Sequence, residues 1–169
     1  GIEGYTGPDV LVTIAEKIKR LGGELQVVAM DEPLYYGHYF SGPKGCRTPL
    51  DQLARDIAVK VRAMRAIFPR MAVGDIEPAG DPALRDWASL LMQWADAYRS
   101  AMGEPLAFVH ADIQWHLPYQ APVREMATRL RAAGIRFGII YNGEPTDTPI
   151  AWTARAESHF LAVESDPTL

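Results

Sequence analysis

Apolar residues in this chain follow two alternating patterns. In some stretches they recur at spacings of three and four, as in Leu53, Ile57, Val61, Met64 and Phe68, and again in Leu84, Trp87, Leu91, Trp94 and Tyr98. Such stripes predict amphipathic helices covering a sheet, with their Met and Trp residues in the core. Between the stripes lie short continuous apolar runs at 27–33, 71–78, 106–115 and 137–145, which read as buried parallel strands. Prolines and glycines mark the boundaries. Thr48-Pro49, Asp81-Pro82 and Thr148-Pro149 each offer an N-cap side chain followed by proline at the first helical position. Thr6-Gly7-Pro8-Asp9 is a weaker start signal, and Gly22-Gly23, Gly103 and Gly134 stand where a helix needs a left-handed stop. Helices are predicted at 8–21, 49–67, 82–102, 121–133 and 149–164.

Each apolar run ends in acid. Three close on Glu-Pro, at Glu32-Pro33, Glu77-Pro78 and Glu144-Pro145, and the fourth carries Asp112 near its end. Proline lacks an N–H and pushes its predecessor toward extended geometry, so it is expected to stop each strand just past the acid. Alternating strands and helices imply a parallel sheet with right-handed crossovers, whose C-terminal strand ends form the ligand-binding edge. His110, Asp112 and Gln114 share one strand face, as do Asp75 with Glu77 and Asn142 with Glu144. Polar tops on one face and apolar residues on the other suit a barrel interior and a helix layer. The expected fold is therefore α/β, a partial TIM (β/α)8 barrel, with an open doubly wound parallel sheet as the alternative.

Met30-Asp31-Glu32-Pro33 resembles the Asn-Glu-Pro signature that ends strand 4 in the large clan of retaining (β/α)8 glycoside hydrolases. The resemblance implies that Glu32 is the acid/base. It also implies that the nucleophile lies three strands on, at Glu144 in Tyr141-Asn142-Gly143-Glu144-Pro145. Residues 1–7 then form the end of strand 3, and 1–169 is one domain running from there through helix 7 of a longer barrel. Asp31 replaces the family's Asn, so it can accept a bond from the sugar 2-hydroxyl but not donate one. Retaining hydrolysis needs two carboxyl groups about 5–5.5 Å apart, one protonated and one ionised. Asp31, Asp75 and Glu77 nearby are expected to raise the acid's pKa by repulsion.

The loops add candidate sugar contacts. Tyr35, Tyr36 and His38 lie in the long ring-rich loop after Pro33, and Trp115 heads a second aromatic cluster with His116 and Tyr119. With Asp31, Asp75, Glu77, His110, Asp112, Gln114, Tyr141 and Asn142, these rings form the expected substrate-binding set. A net charge of −4 without basic runs argues against nucleic acid as a partner, and no stretch is apolar enough to span a membrane. Cys46 is the lone cysteine, so an intrachain disulfide and a multi-cysteine metal site are both excluded. The compartment stays open, a secreted or periplasmic setting being compatible with a carbohydrate substrate. No cofactor is expected. The alternatives are a metal-dependent sugar isomerase or hydrolase barrel, with one divalent cation on His110, Asp112 and the strand-end acids, and a barrel that binds glycan without cleaving it.

Overall fold

The computed structural model describes residues 8–81 and 83–166. The segment 1–7, expected to end a strand, and Pro82 lie outside the described residues. Helices and strands alternate: α1 (Pro8–Arg20), β1 (Val27–Asp31), α2 (Leu50–Arg65), β2 (Ala72–Ala79), α3 (Trp87–Met102), β3 (Phe108–Ile113), α4 (Gln120–Ala132), β4 (Arg136–Ile140) and α5 (Pro149–Glu164). The four strands form one all-parallel sheet in the sequential order β1-β2-β3-β4. The chain is thus α/β with a parallel sheet. Helix α1 packs on α2, α2 on α3 and α3 on α4, so these four helices stand side by side. No helix among the described residues is long and apolar enough to cross a membrane.

Glycine stops behave as their chemistry demands. Gly103 has φ 83° and donates its N–H to the Arg99 carbonyl, closing α3. Thr148 caps α5 by accepting from the Ala151 N–H, with Pro149 next. Helix α3 departs from its predicted start. Asp81 spends its side chain on the Ala83 N–H and its carbonyl on the Leu84 N–H, making a turn. The helix begins only after Asp86, in the left-handed region at φ 54°.

The sheet has two unlike faces. Met30, Val73, Val109, Ala111 and Ile113 join Leu53, Ile57, Leu91, Trp94 and Leu130 in the core, so this face meets the helices. Cross-strand register puts Asp75 beside Met30 and Val109, and Glu77 beside Ala111, all on that helix-facing side. The other face carries Ile76, His110 and Gly138 in register, then Pro78, Asp112 and Ile140 one step higher. On it the Phe108 ring lies over Gly74, where an added Cβ would sit 2.3 Å from ring carbons. His110 lies over Gly138, where a Cβ would be 2.7 Å from Cδ2. Each ring fills the space that a neighbouring strand leaves empty.

Proline does not end every strand as expected. Pro33 and Pro145 lie beyond their strands, but Pro78 is inside β2, paired with Asp112. Ala72 donates to Gln26, and Glu32 donates to the Ile76 carbonyl, so even-numbered residues of β2 face β1. Since β1 stops at Asp31, the donor that Pro78 lacks would have faced a strand already gone.

Candidate functional site

At the C-terminal edge of the sheet, alternation would send Glu32 under the sheet with Met30. It does not go there, because Glu32 has φ 49°, a left-handed conformation uncommon for a non-glycine residue. Its carboxyl instead lines the open side at the meeting point of two lobes. One, of about 280 Å³, is lined by Glu32, Asp112, Gln114, Trp115, Asn142 and Glu144 among others. The second, of about 600 Å³, is lined by Asp31, Glu32, Tyr36, Lys44 and Cys46.

The electrostatics follow from this placement. Burial, then the Asp112 and Asp31 carboxylates, push Glu32 up from 4.5 to about 7. Burial also raises Asp112, while a hydrogen bond from the Asn142 amide opposes the rise. That bond, from Asn142 Nδ2 to Asp112 Oδ1, measures 3.0 Å. Asn142 Oδ1 accepts from Trp115 Nε1 at 2.6 Å, so its amide orientation is fixed by a donor and an acceptor. The Trp115 indole in turn stacks on His159 of α5, with centroids 4.0 Å apart and planes 8° apart, and His159 Nδ1 lies 2.8 Å from the Asn142 carbonyl. Glu144 is held by its backbone: its N–H donates to Asp147 Oδ2, and Asp147 is gripped by Arg155 at 2.7 and 3.0 Å.

The structure therefore gathers Asp31, Glu32, Tyr36, Asp112, Gln114, Trp115, Asn142 and Glu144 around the two lobes. Asp75 and Glu77, expected there, lie on the opposite face and are fully buried. Asp75 Oδ2 accepts from Trp94 Nε1 at 2.7 Å and Oδ1 from the Ile76 N–H. Glu77 accepts from the backbone N–H groups of Leu34 at 2.6 Å and Tyr35 at 3.2 Å. Burial pushes both carboxyls well above their ordinary range, and Asp75 adds to the rise at Glu77. The anions that lift Glu32 are accordingly Asp112 and Asp31 rather than Asp75 and Glu77.

Three further candidates have structural partners away from the lobes. Tyr35 packs among Tyr39, Phe40 and Trp87. His38 Nδ1 is 2.8 Å from the Thr48 carbonyl, which ties the ring to its own loop. Tyr141 donates its hydroxyl to Glu164 and meets Phe160 with its ring, which also stacks on Trp115 with centroids 5.9 Å apart, so it touches the smaller lobe only through that indole. His110 lies lower on the open face against Phe108, and burial lowers its pKa. No protein-family model, curated protein or solved structure matches the chain.

The sequence reading missed Lys44 and Cys46 in the larger lobe and the support from Asp147, Arg155 and His159. No motif marks them, although Lys44 and Cys46 lie in the loop already singled out for its rings. Among the described residues, no three His, Cys, Asp or Glu side chains are placed to share one metal ion. The divalent-cation alternative therefore lacks a ligand set among them.

Proposed function

We propose that the chain carries the catalytic pair of a retaining (β/α)8 glycoside hydrolase, with Glu32 as acid/base and Glu144 as nucleophile on a carbohydrate substrate. The observation that carries the reading is Glu32 itself. Its half-buried carboxyl keeps a proton up to about pH 7 on the wall of a cleft that Glu144 also lines. An acid catalyst needs its proton at working pH, and its partner must be free to attack.

Strand order supports the barrel. A doubly wound sheet reverses its order at a switch point and places helices on both faces. Here the order is sequential, and α1 to α4 pack as neighbours in succession, as in a (β/α)8 wall. Three inter-strand spacings of ~4.8 Å put β1 and β4 about 14 Å apart along the sheet, so retention requires both glutamate side chains to reach toward each other across that gap.

In this mechanism Glu144 attacks the anomeric carbon while Glu32 passes its proton to the departing glycosidic oxygen. Glu32 then takes a proton from water as that water displaces Glu144. Asn142, held between Asp112 and Trp115, is the expected reader of a sugar hydroxyl, and Tyr36, Gln114 and Trp115 the expected contacts on either side. The test is cleavage of aryl glycosides by the full-length protein. Glu144→Ala should lose turnover, with azide restoring it, and activity should survive a chelator. Undiminished cleavage by Glu144→Ala would overturn the assignment. Loss of activity on chelation would favour a metal-dependent barrel, and glycan binding without turnover a binding protein.

A further inference from the structure

We propose that Glu77 is a positioning residue for Glu32, clamping the segment that follows Glu32 through the first two free N–H groups of its turn. The first N–H groups of a helical turn have no acceptor within the turn. Here Leu34 and Tyr35, which open the wide π-type turn Tyr35–Tyr39, each donate to a different oxygen of one carboxylate. That carboxylate comes from β2, more than forty residues away, and is completely buried. Burying a carboxyl group away from water is costly unless hydrogen bonds compensate, and these two backbone donors are the compensation at hand.

The clamp completes a bracket around Glu32. Its N–H donates to the Ile76 carbonyl and its own carbonyl accepts from the Tyr36 N–H. The strained left-handed residue is thus tied on one side to β2. On the other it is tied to a turn that β2 also holds, through Glu77. Strain of this kind persists only where its surroundings over-determine it. The charged groups around Glu77 are Asp75 on its own strand and Glu32 just past β1, while Asp31 and Asp112 act on Glu32. Only the description of Glu32 as an acid catalyst rests on the glycoside hydrolase reading; the clamp does not need it.

The experiment follows amide hydrogen exchange at Leu34 and Tyr35 and the titration of the Glu32 carboxyl by carbon-13 NMR. In the unaltered protein both amides should exchange as slowly as sheet amides. In Glu77→Gln the side-chain NH2 opposes one of the two N–H donors. Exchange at Leu34 or Tyr35 should quicken roughly 10- to 100-fold, and the Glu32 midpoint should fall from about 7 toward 4.5. Trp94→Phe removes a buried hydrogen bond from the same layer without touching the turn, so it should leave Glu32 unmoved. Fast exchange at both amides in the unaltered protein would overturn the clamp. So would an unchanged Glu32 midpoint in Glu77→Gln, or an equal shift in Trp94→Phe. A shifted midpoint in a protein that cleaves no glycoside keeps the clamp and removes the catalytic reading; turnover with an unshifted midpoint does the reverse.

Discussion

Replacing Glu32 by Gln should make the protein more stable at pH 8 while leaving its stability near pH 5 much less changed. The sign follows from linkage. In the unfolded chain the carboxyl titrates near 4.5, and in the folded protein near 7. Between those values the folded state holds a proton that the unfolded state has released, so stability falls as pH rises through the window and stays low above it. A rise of this size corresponds to about 3 kcal/mol at full weight. The carboxyl is only half-buried, so solvent screening reduces the effect to roughly 1–2 kcal/mol. Gln has nearly the same shape and no charge to desolvate, so the variant escapes the penalty. Urea denaturation of both proteins at pH 5 and pH 8 measures it, and the lost repulsion of Glu32 on Asp75 and Glu77 acts in the same direction. A Glu32→Gln variant no more stable than its parent at pH 8 would refute the claim that Glu32 is held protonated by its surroundings.

Two further substitutions test the packing beneath and above the sheet. Trp94→Phe removes the donor to Asp75 Oδ2 inside the core, and should cost about 1–3 kcal/mol in thermal or chemical unfolding. Gly74→Ala would drive a Cβ to 2.3 Å from the Phe108 ring. It should cost about 1–3 kcal/mol as an overpacked site, and Phe108→Leu in the same chain should recover part of that loss in melting temperature.

The architecture was largely legible because its boundaries depend on local chemistry. Gly103 and Gly134 stop helices by adopting positive φ, and Thr148 caps α5 through its own side chain. The site was legible where one strand decides it: Asp112 and Gln114 share a cleft-facing side as alternation requires. Alternation fixes only relative parity, however. It says that Asp75 and Glu77 point the same way, but the register with Val109 and Ala111 decides which way that is. The partner that lets Asp75 lie under the sheet, the Trp94 indole N–H, sits on a helix stripe where tryptophan reads simply as core. Glu32 reversed the error. Alternation alone would bury it, and nothing in Asp-Glu-Pro announces the left-handed turn that brings it to the cleft.

Pro78 has a consequence beyond its own strand. The ladder between β1 and β2 advances by twos, from the Ala72 donor on Gln26 upward, so its next rung would run from residue 78 to the Glu32 carbonyl. Proline supplies no hydrogen for that rung, and the carbonyl is taken instead by the Tyr36 N–H. The missing hydrogen on one strand thus coincides with the point where its neighbour stops being sheet and becomes turn. Pro78→Ala would restore the donor and set two N–H groups in competition for the Glu32 carbonyl. The end of β1 and the turn beyond it are, in this sense, matched to the sequence of β2.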